Sequence, residues 1–113
     1  MEQQLEEKIT IDEFRKLKLK IACIKEVVDH PQADRLYVLQ IEVGGINKQI
    51  VAGIKSSYTK EQLVGKQVVI VDNLVPALLR GVESQGMLLA TQDEKGLCII
   101  MPERETTTGS AVK

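Results

Sequence analysis

Aromatic residues are scarce in this chain: 3% of 113 residues, with no Trp and one Phe. That excludes a core of stacked rings and leaves Ile, Val and Leu to do the packing, the aliphatic set that suits pleated sheets. Basic charge is not in excess either. A net charge of −1 and a pI near 5.9 exclude a bulk-basic nucleic-acid binder, so any phosphate contact must come from a local patch. Cys23 and Cys98 lie far apart with no CxxC or Cys/His pairing, so no metal site is indicated. Both sit in apolar runs and read as buried small hydrophobes of a reducing compartment. The apolar runs are too short to span a bilayer, and the first residues are polar and acidic, unlike a secretory signal. His30, the single histidine, has no evident base, nucleophile or metal partner. There is no glycine-rich phosphate loop of Walker or dinucleotide type and no carboxylate pair in an apolar setting. Nothing here points to an enzyme.

What is present is 43% apolar content, enough for one core, and a length that fits one domain with short flanks. Residues 1–9 read as an acidic lead-in and 10–113 as the domain. Thr10 with Glu13 three residues later is a capping box opening a short helix, which Phe14 and Leu17 would anchor to the body. Alternation then predicts strands over Leu19–Val28, Leu36–Val43 and Gln49–Ala52. They are joined by a turn at Asp29–Asp34 and a hairpin at Gly44–Lys48. Thr59 and Gln62 form a second capping box before Gly65. Further strands follow over Lys66–Asp72, Met87–Thr91 and Leu97–Met101, and Pro102–Lys113 reads as a polar tail. Three strands, a short helix and two strands is the element order of a small Greek-key barrel. The chain is expected to be all-β: a five-stranded OB-fold barrel with a short N-terminal helix and a C-terminal strand extension.

Two local features stand out. Arg15, Lys16, Lys18, Lys20 and Lys25 follow one another with no acid between them; a solvated strand edge guarded by lysines and a cationic patch both fit this run. The second feature is Asn73-Leu74-Val75-Pro76-Ala77-Leu78-Leu79-Arg80-Gly81-Val82-Glu83-Ser84-Gln85-Gly86-Met87, punctuated by a Pro and glycines between two apolar runs. It reads as a structured loop entering a strand and carries polar groups beside an adaptable Met.

That stretch, NLxPxxxRGxxSQGM, resembles the signature of the tRNA-binding OB domain attached to methionyl-tRNA synthetases or found as free-standing dimeric tRNA-binding proteins. The resemblance extends to the Leu17–Ile24 strand, to HPxADxL at His30–Leu36, to Val51-Ala52-Gly53-Ile54, and to Tyr58 with Glu61–Lys66. It covers about Phe14 to Lys113. It implies a non-catalytic cytoplasmic module that grips tRNA by shape and backbone and assists a methionyl-tRNA synthetase catalytic chain. As a homodimer it would pair through Ile11–Leu17 and Leu97–Val112; a monomer whose flanks cover the barrel ends is the alternative. No cofactor is implied.

Carried over by position, Ser84 and Met87 are the strongest contact candidates, Ser84 for a phosphate, sugar or base edge and Met87 for a base or ribose. Core packing is the other reading of Met87. Gln85 and Asn73 are further RNA-bonding candidates, with Asn73 alternatively a loop cap. Arg80, Arg35, Lys20 and Lys55 are the phosphate candidates. The loop departs from its relatives at Val75, Ala77 and Leu78, where two or three cations are missing. Each lost phosphate contact lowers the salt slope by roughly 0.7–0.9. Val75, Leu78 and Leu79 instead form an apolar cluster, which keeps two other readings open: an export-related chaperone of the same fold, or a synthetase-docking interaction module.

Overall fold

The computed structural model describes residues 6–113. The acidic lead-in falls partly outside these; residues 6–9 are exposed and irregular. Helix α1 (Ile11–Phe14) has the expected capping box: Glu13 N donates to Thr10 Oγ1 at 3.1 Å and Thr10 N to Glu13 Oε1 at 3.0 Å. The anchor is not the expected one. Phe14 is only half-buried and Leu17 is exposed. A one-turn helix has no room for an apolar stripe, so polar bonds hold it instead, as described below.

Strand β1 (Leu19–Asp29) organises everything else. Its first half pairs with β4 (Gln67–Val71), from Leu19↔Val71 to Cys23↔Gln67. Its second half pairs with β2 (Tyr37–Val43), ending at Asp29↔Tyr37. A register shift between Ile24 and Glu26 marks the hand-over, an irregularity of the kind that bends a strand. β3 (Ile46–Ala52) returns from β2 through Gly44 and Gly45, both at positive φ, the signature of a tight two-residue hairpin. β7 (Met87–Leu88) pairs with β4, giving the order β3-β2-β1-β4-β7. The result is mostly β, a curled half-barrel sheet with five strands in line, as the element order predicts. Ile24, Leu39, Ile41, Ile50, Val68 and Ile70 fill its concave side. Leu63, from the capped helix α2 (Lys60–Leu63), is also fully buried there.

Besides the earlier start of β3, which takes in Ile46–Lys48 of the expected hairpin connection, three segments depart from expectation. Ala77–Leu79 and Val82–Ser84, read as loop, form a hairpin (β5 and β6). The expected fifth strand is split: beyond β7, Leu89 N still donates to Val69 O of β4 at 3.0 Å, and Ala90–Asp93 (β8) then pairs with Gly96–Ile99 (β9). In β9 the alternation turns Ile99 inward and Cys98 outward. Cys98 is therefore exposed and Cys23 half-buried, correcting the expectation that both are buried.

The third departure is the polar tail, which is ordered. Gln67 Nε2 donates to Thr106 O at 2.6 Å and Thr106 N returns to Gln67 Oε1 at 2.9 Å. Gly109 N donates to Ile21 O at 2.7 Å, and the chain ends in β10 (Ala111–Val112), paired with Leu19 and Lys20 of β1. The crossing at Gly109 is tight: a Cβ there would stand 2.7 Å from Gly44 Cα, and its φ is +85°. Gly45 has a similar φ of +88° with nothing within 4 Å. Gly45→Ala should therefore cost roughly 1–2 kcal/mol from backbone strain alone. Gly109→Ala should cost roughly 2–4 kcal/mol, since overpacking adds to strain. Urea unfolding of both variants measures the difference, and equal losses would rule out the close approach.

Candidate nucleic-acid interface

β3 ends the strand order, so its outward backbone groups need partners. The Glu83-Ser84-Gln85 ribbon supplies them. Val51 N donates to Ser84 Oγ at 2.9 Å, and Gln49 N donates to Gln85 Oε1 at 2.9 Å. Gln85 N donates to Gln49 O at 2.8 Å, and Gln49 Nε2 reaches Glu83 O at 2.9 Å. Side-chain oxygens thus accept where the carbonyls of another strand would. Gly86 makes the crossing feasible: a Cβ there would lie 3.0 Å from Val71 O. The ribbon joins β3 to β4 and closes the curled sheet.

This closure uses up Ser84. Its hydroxyl is buried, accepts from Val51 N and donates to Gly86 O at 3.0 Å. Ser84, a ligand-contact candidate in the sequence, faces inward here. Gln85 is half-buried with its Oε1 engaged, leaving its Nε2 for other partners. Met87 is 49% exposed, so core packing does not account for it. It borders a shallow groove with Val51, Gly53, Ile54 and Leu97.

Asn73 is bonded within the fold. Its Oδ1 accepts from Lys18 N at 2.9 Å and its Nδ2 donates to Lys16 O at 2.7 Å. Those bonds tie the segment after α1 to the end of β4. Beside it, Lys20 Nζ lies 3.0 Å and Lys48 Nζ 2.6 Å from the Asp72 carboxylate. Burial pushes the Asp72 carboxyl up, but hydrogen bonds from Lys48 and Lys20 outweigh that and hold it below its ordinary value. Lys48 was not foreseen; it comes from β3, remote from Lys20 in sequence.

The remaining candidates gather at the other end of β1. Lys55 and Lys60 lie 3.1 and 3.2 Å from Asp29, whose carboxyl they hold below its usual range. Lys55 also stands 6.0 Å from the centre of the Tyr37 ring. Arg35 is exposed in the turn that follows Asp29. Arg80 occupies the tip of the β5–β6 hairpin at φ +53°, followed by Gly81 at +89°, and its Nη2 is 3.5 Å from Gln32 O. The cationic candidates therefore form two groups. Asp29 and Lys20 are nine residues apart on β1, which at about 3.3 Å per residue puts the groups at opposite ends of the strand, at most roughly 30 Å apart because β1 bends. Val75 (88%) and Leu78 (74%) project from the hairpin segment.

A family model described as "Putative tRNA binding domain" matches residues 19–111. The chain belongs to this family. Its relatives include the methionine–tRNA ligase of Thermococcus kodakarensis, 49% identical over 95% of this chain, and that of Pyrococcus furiosus, 48% identical over 93%. The chain spans about 14% of the length of either. Among solved structures, a MetRS-related protein from Pyrococcus horikoshii superposes with a TM-score of 0.88 at 33% identity, covering 96% of this chain and all of that one. A CsaA chaperone protein from Picrophilus torridus also gives 0.88, at 28% identity, covering 94% and 100%. Within this tRNA-binding family, the Ser-Gln-Gly segment of this chain is thus a structural seam.

Ser84→Ala should cost roughly 1–3 kcal/mol in urea unfolding, because it strands the Val51 N–H; a change within error would show that the seam does not hold β3. Asp72 has a depressed folded pKa. Its stabilisation is therefore present at neutral pH and is lost as pH falls below its ordinary value of 3.8. Asp72→Asn should lower the melting temperature at pH 7 and flatten the acid limb of stability. An unaltered acid limb would exclude Asp72 as its source.

Proposed function

We propose that this chain is a non-catalytic module that binds tRNA by shape and backbone, and that it assists a methionyl-tRNA synthetase as a detached segment or a free-standing partner. One observation carries the reading: nearly the whole chain matches a small segment of methionine–tRNA ligases at 48–49% identity. A unit that is 14% of such an enzyme is an accessory to its chemistry, and the family description says what the accessory binds. We take residues 10–113 as the functional unit and the cytoplasm as its location.

The binding residues are those that keep a cation, an apolar surface or a spare donor at the surface, including lysines that share a carboxylate. Arg35 and Arg80 meet phosphates at one end of β1. Lys55 joins them, and Lys20 acts at the other end, each shared with a carboxylate. A-form RNA exposes phosphates and 2′-hydroxyls across a wide minor groove, and a spread of up to roughly 30 Å suits contacts to its backbone better than the reading of one base. Met87 packs against a base or ribose and Gln85 offers its Nε2. Ser84 and Asn73 act by holding these groups in place. A homodimer pairing through Ile11–Leu17 and Leu97–Val112 would double the contacts without a new site.

A second reading is a chaperone-like protein binder. The projecting Val75 and Leu78, where relatives of the resemblance carry cations, favour it. Fluorescence anisotropy with bulk tRNA across a salt series separates the two. Binding should fall with salt, and Arg35→Ala or Arg80→Ala should each reduce the log–log slope by roughly 0.7–0.9. Met87→Ala should weaken binding about tenfold with the slope unchanged. Absence of tRNA binding at low salt, with salt-insensitive binding of an apolar peptide, would establish the chaperone reading instead.

A further inference from the structure

His30 is buried at 5% exposure, and the tRNA reading gives it no contact. Its surroundings fix both its protonation and its tautomer. Gln32 N–H, an obligate donor, points at Nδ1 from 3.0 Å, so Nδ1 must accept. Nε2 then carries the proton and donates to Leu79 O at 2.8 Å. Gln32 is used twice, since its carbonyl also lies 3.5 Å from the Arg80 guanidinium. The β1–β2 turn thus holds the hairpin tip through His30 on one side and Gln32 on the other.

The hairpin has little else to hold its tip. All residues of β5 are exposed, and the bonds that fix β6 lie at Glu83–Gln85, beyond the tip. Arg80 also needs the left-handed conformation, at a cost to a non-glycine residue that its surroundings must offset. An imidazolium cannot make this set of bonds: a proton on Nδ1 would face the Gln32 N–H, donor against donor. Arg80 and Glu83 are the charged groups on the hairpin. Asp29, Asp34 and Arg35 flank the ring in sequence, with Asp29 already neutralised by Lys55 and Lys60.

We propose that His30 is a positioning residue for Arg80, and that its protonation releases the β5–β6 hairpin tip and weakens tRNA binding. This rests on the tRNA-binding reading. The sign is diagnostic. Acidification adds positive charge, which by itself strengthens binding to a polyanion; release of the tip acts in the opposite direction.

The test is tRNA anisotropy at fixed ionic strength between about pH 8 and pH 5. It compares wild type, His30→Gln and Arg80→Ala, with thermal melts at each pH confirming that each chain is folded. Wild-type affinity should fall roughly five- to tenfold on acidification. His30→Gln and Arg80→Ala should both bind more weakly at pH 8 and lose the fall. A wild-type affinity that is flat or rises, or a fall that survives His30→Gln, overturns the proposal. NMR tests the latch without RNA. The ring should be the Nε2–H tautomer at pH 8, and amides 79–82 should shift together with the ring as it titrates. A silent hairpin would overturn the latch. A responsive hairpin with no tRNA binding at any pH would leave the latch standing and remove the tRNA reading.

Discussion

The structure depends on how the free edge of β3 is satisfied. A five-strand sheet curled around aliphatic side chains has two edges, and on this one the unpaired amides of Gln49 and Val51 would each cost desolvation. Here the missing acceptors come from the side chains of Gln85 and Ser84, not from a paired strand. Gln85 N also donates directly to Gln49 O at 2.8 Å, so the two backbones run close together. Gly86 permits that approach beside Val71 O. The segment most distinctive in sequence thus carries the closure of the sheet.

Placing the polar signature inside the fold changes the electrostatic picture. With a net charge of −1, the surface has no general attraction for polyanions, and Lys20, Lys48, Lys55 and Lys60 all share carboxylates. Such pairs still present cations to an approaching phosphate, but each contact competes with Asp72 or Asp29. Among the described residues, Arg35 in the β1–β2 turn and Arg80 at the hairpin tip are in no ion pair. The same fold superposes equally well on a MetRS-related protein and a CsaA chaperone protein, so the scaffold alone does not assign a function. The surface side chains do, and on this chain they combine a few arginines with an apolar hairpin.

Much of the core was legible in the sequence. Period-two alternation located β1, β2 and β4 to within a residue or so, and both capping boxes appear as the Thr and Glu or Gln spacing predicts. The candidate site was less legible. Met87 and the arginines were readable as positions, whereas the inward turn of Ser84, the clamp made by Asn73 and the part played by His30 were not. Each is a bond to the main chain of a segment far away in sequence: Ser84 to Val51, Asn73 to Lys18, His30 to Leu79. A backbone amide has no residue type, so no local pattern reports it. For the same reason the ordered tail passed for a polar flank, since Gln67 holds Thr106 by its peptide groups.

The sequence by itself determined the strand periods, the helix starts and the aliphatic character of the core, because these depend on neighbours within one turn or one strand. It also determined the family, through motifs whose order survives without any coordinates. Tertiary structure alone decided which polar side chains remain free to meet a ligand. Hydrogen-bonding capacity is limited for each group, and only the fold sets which long-range backbone partner claims it first.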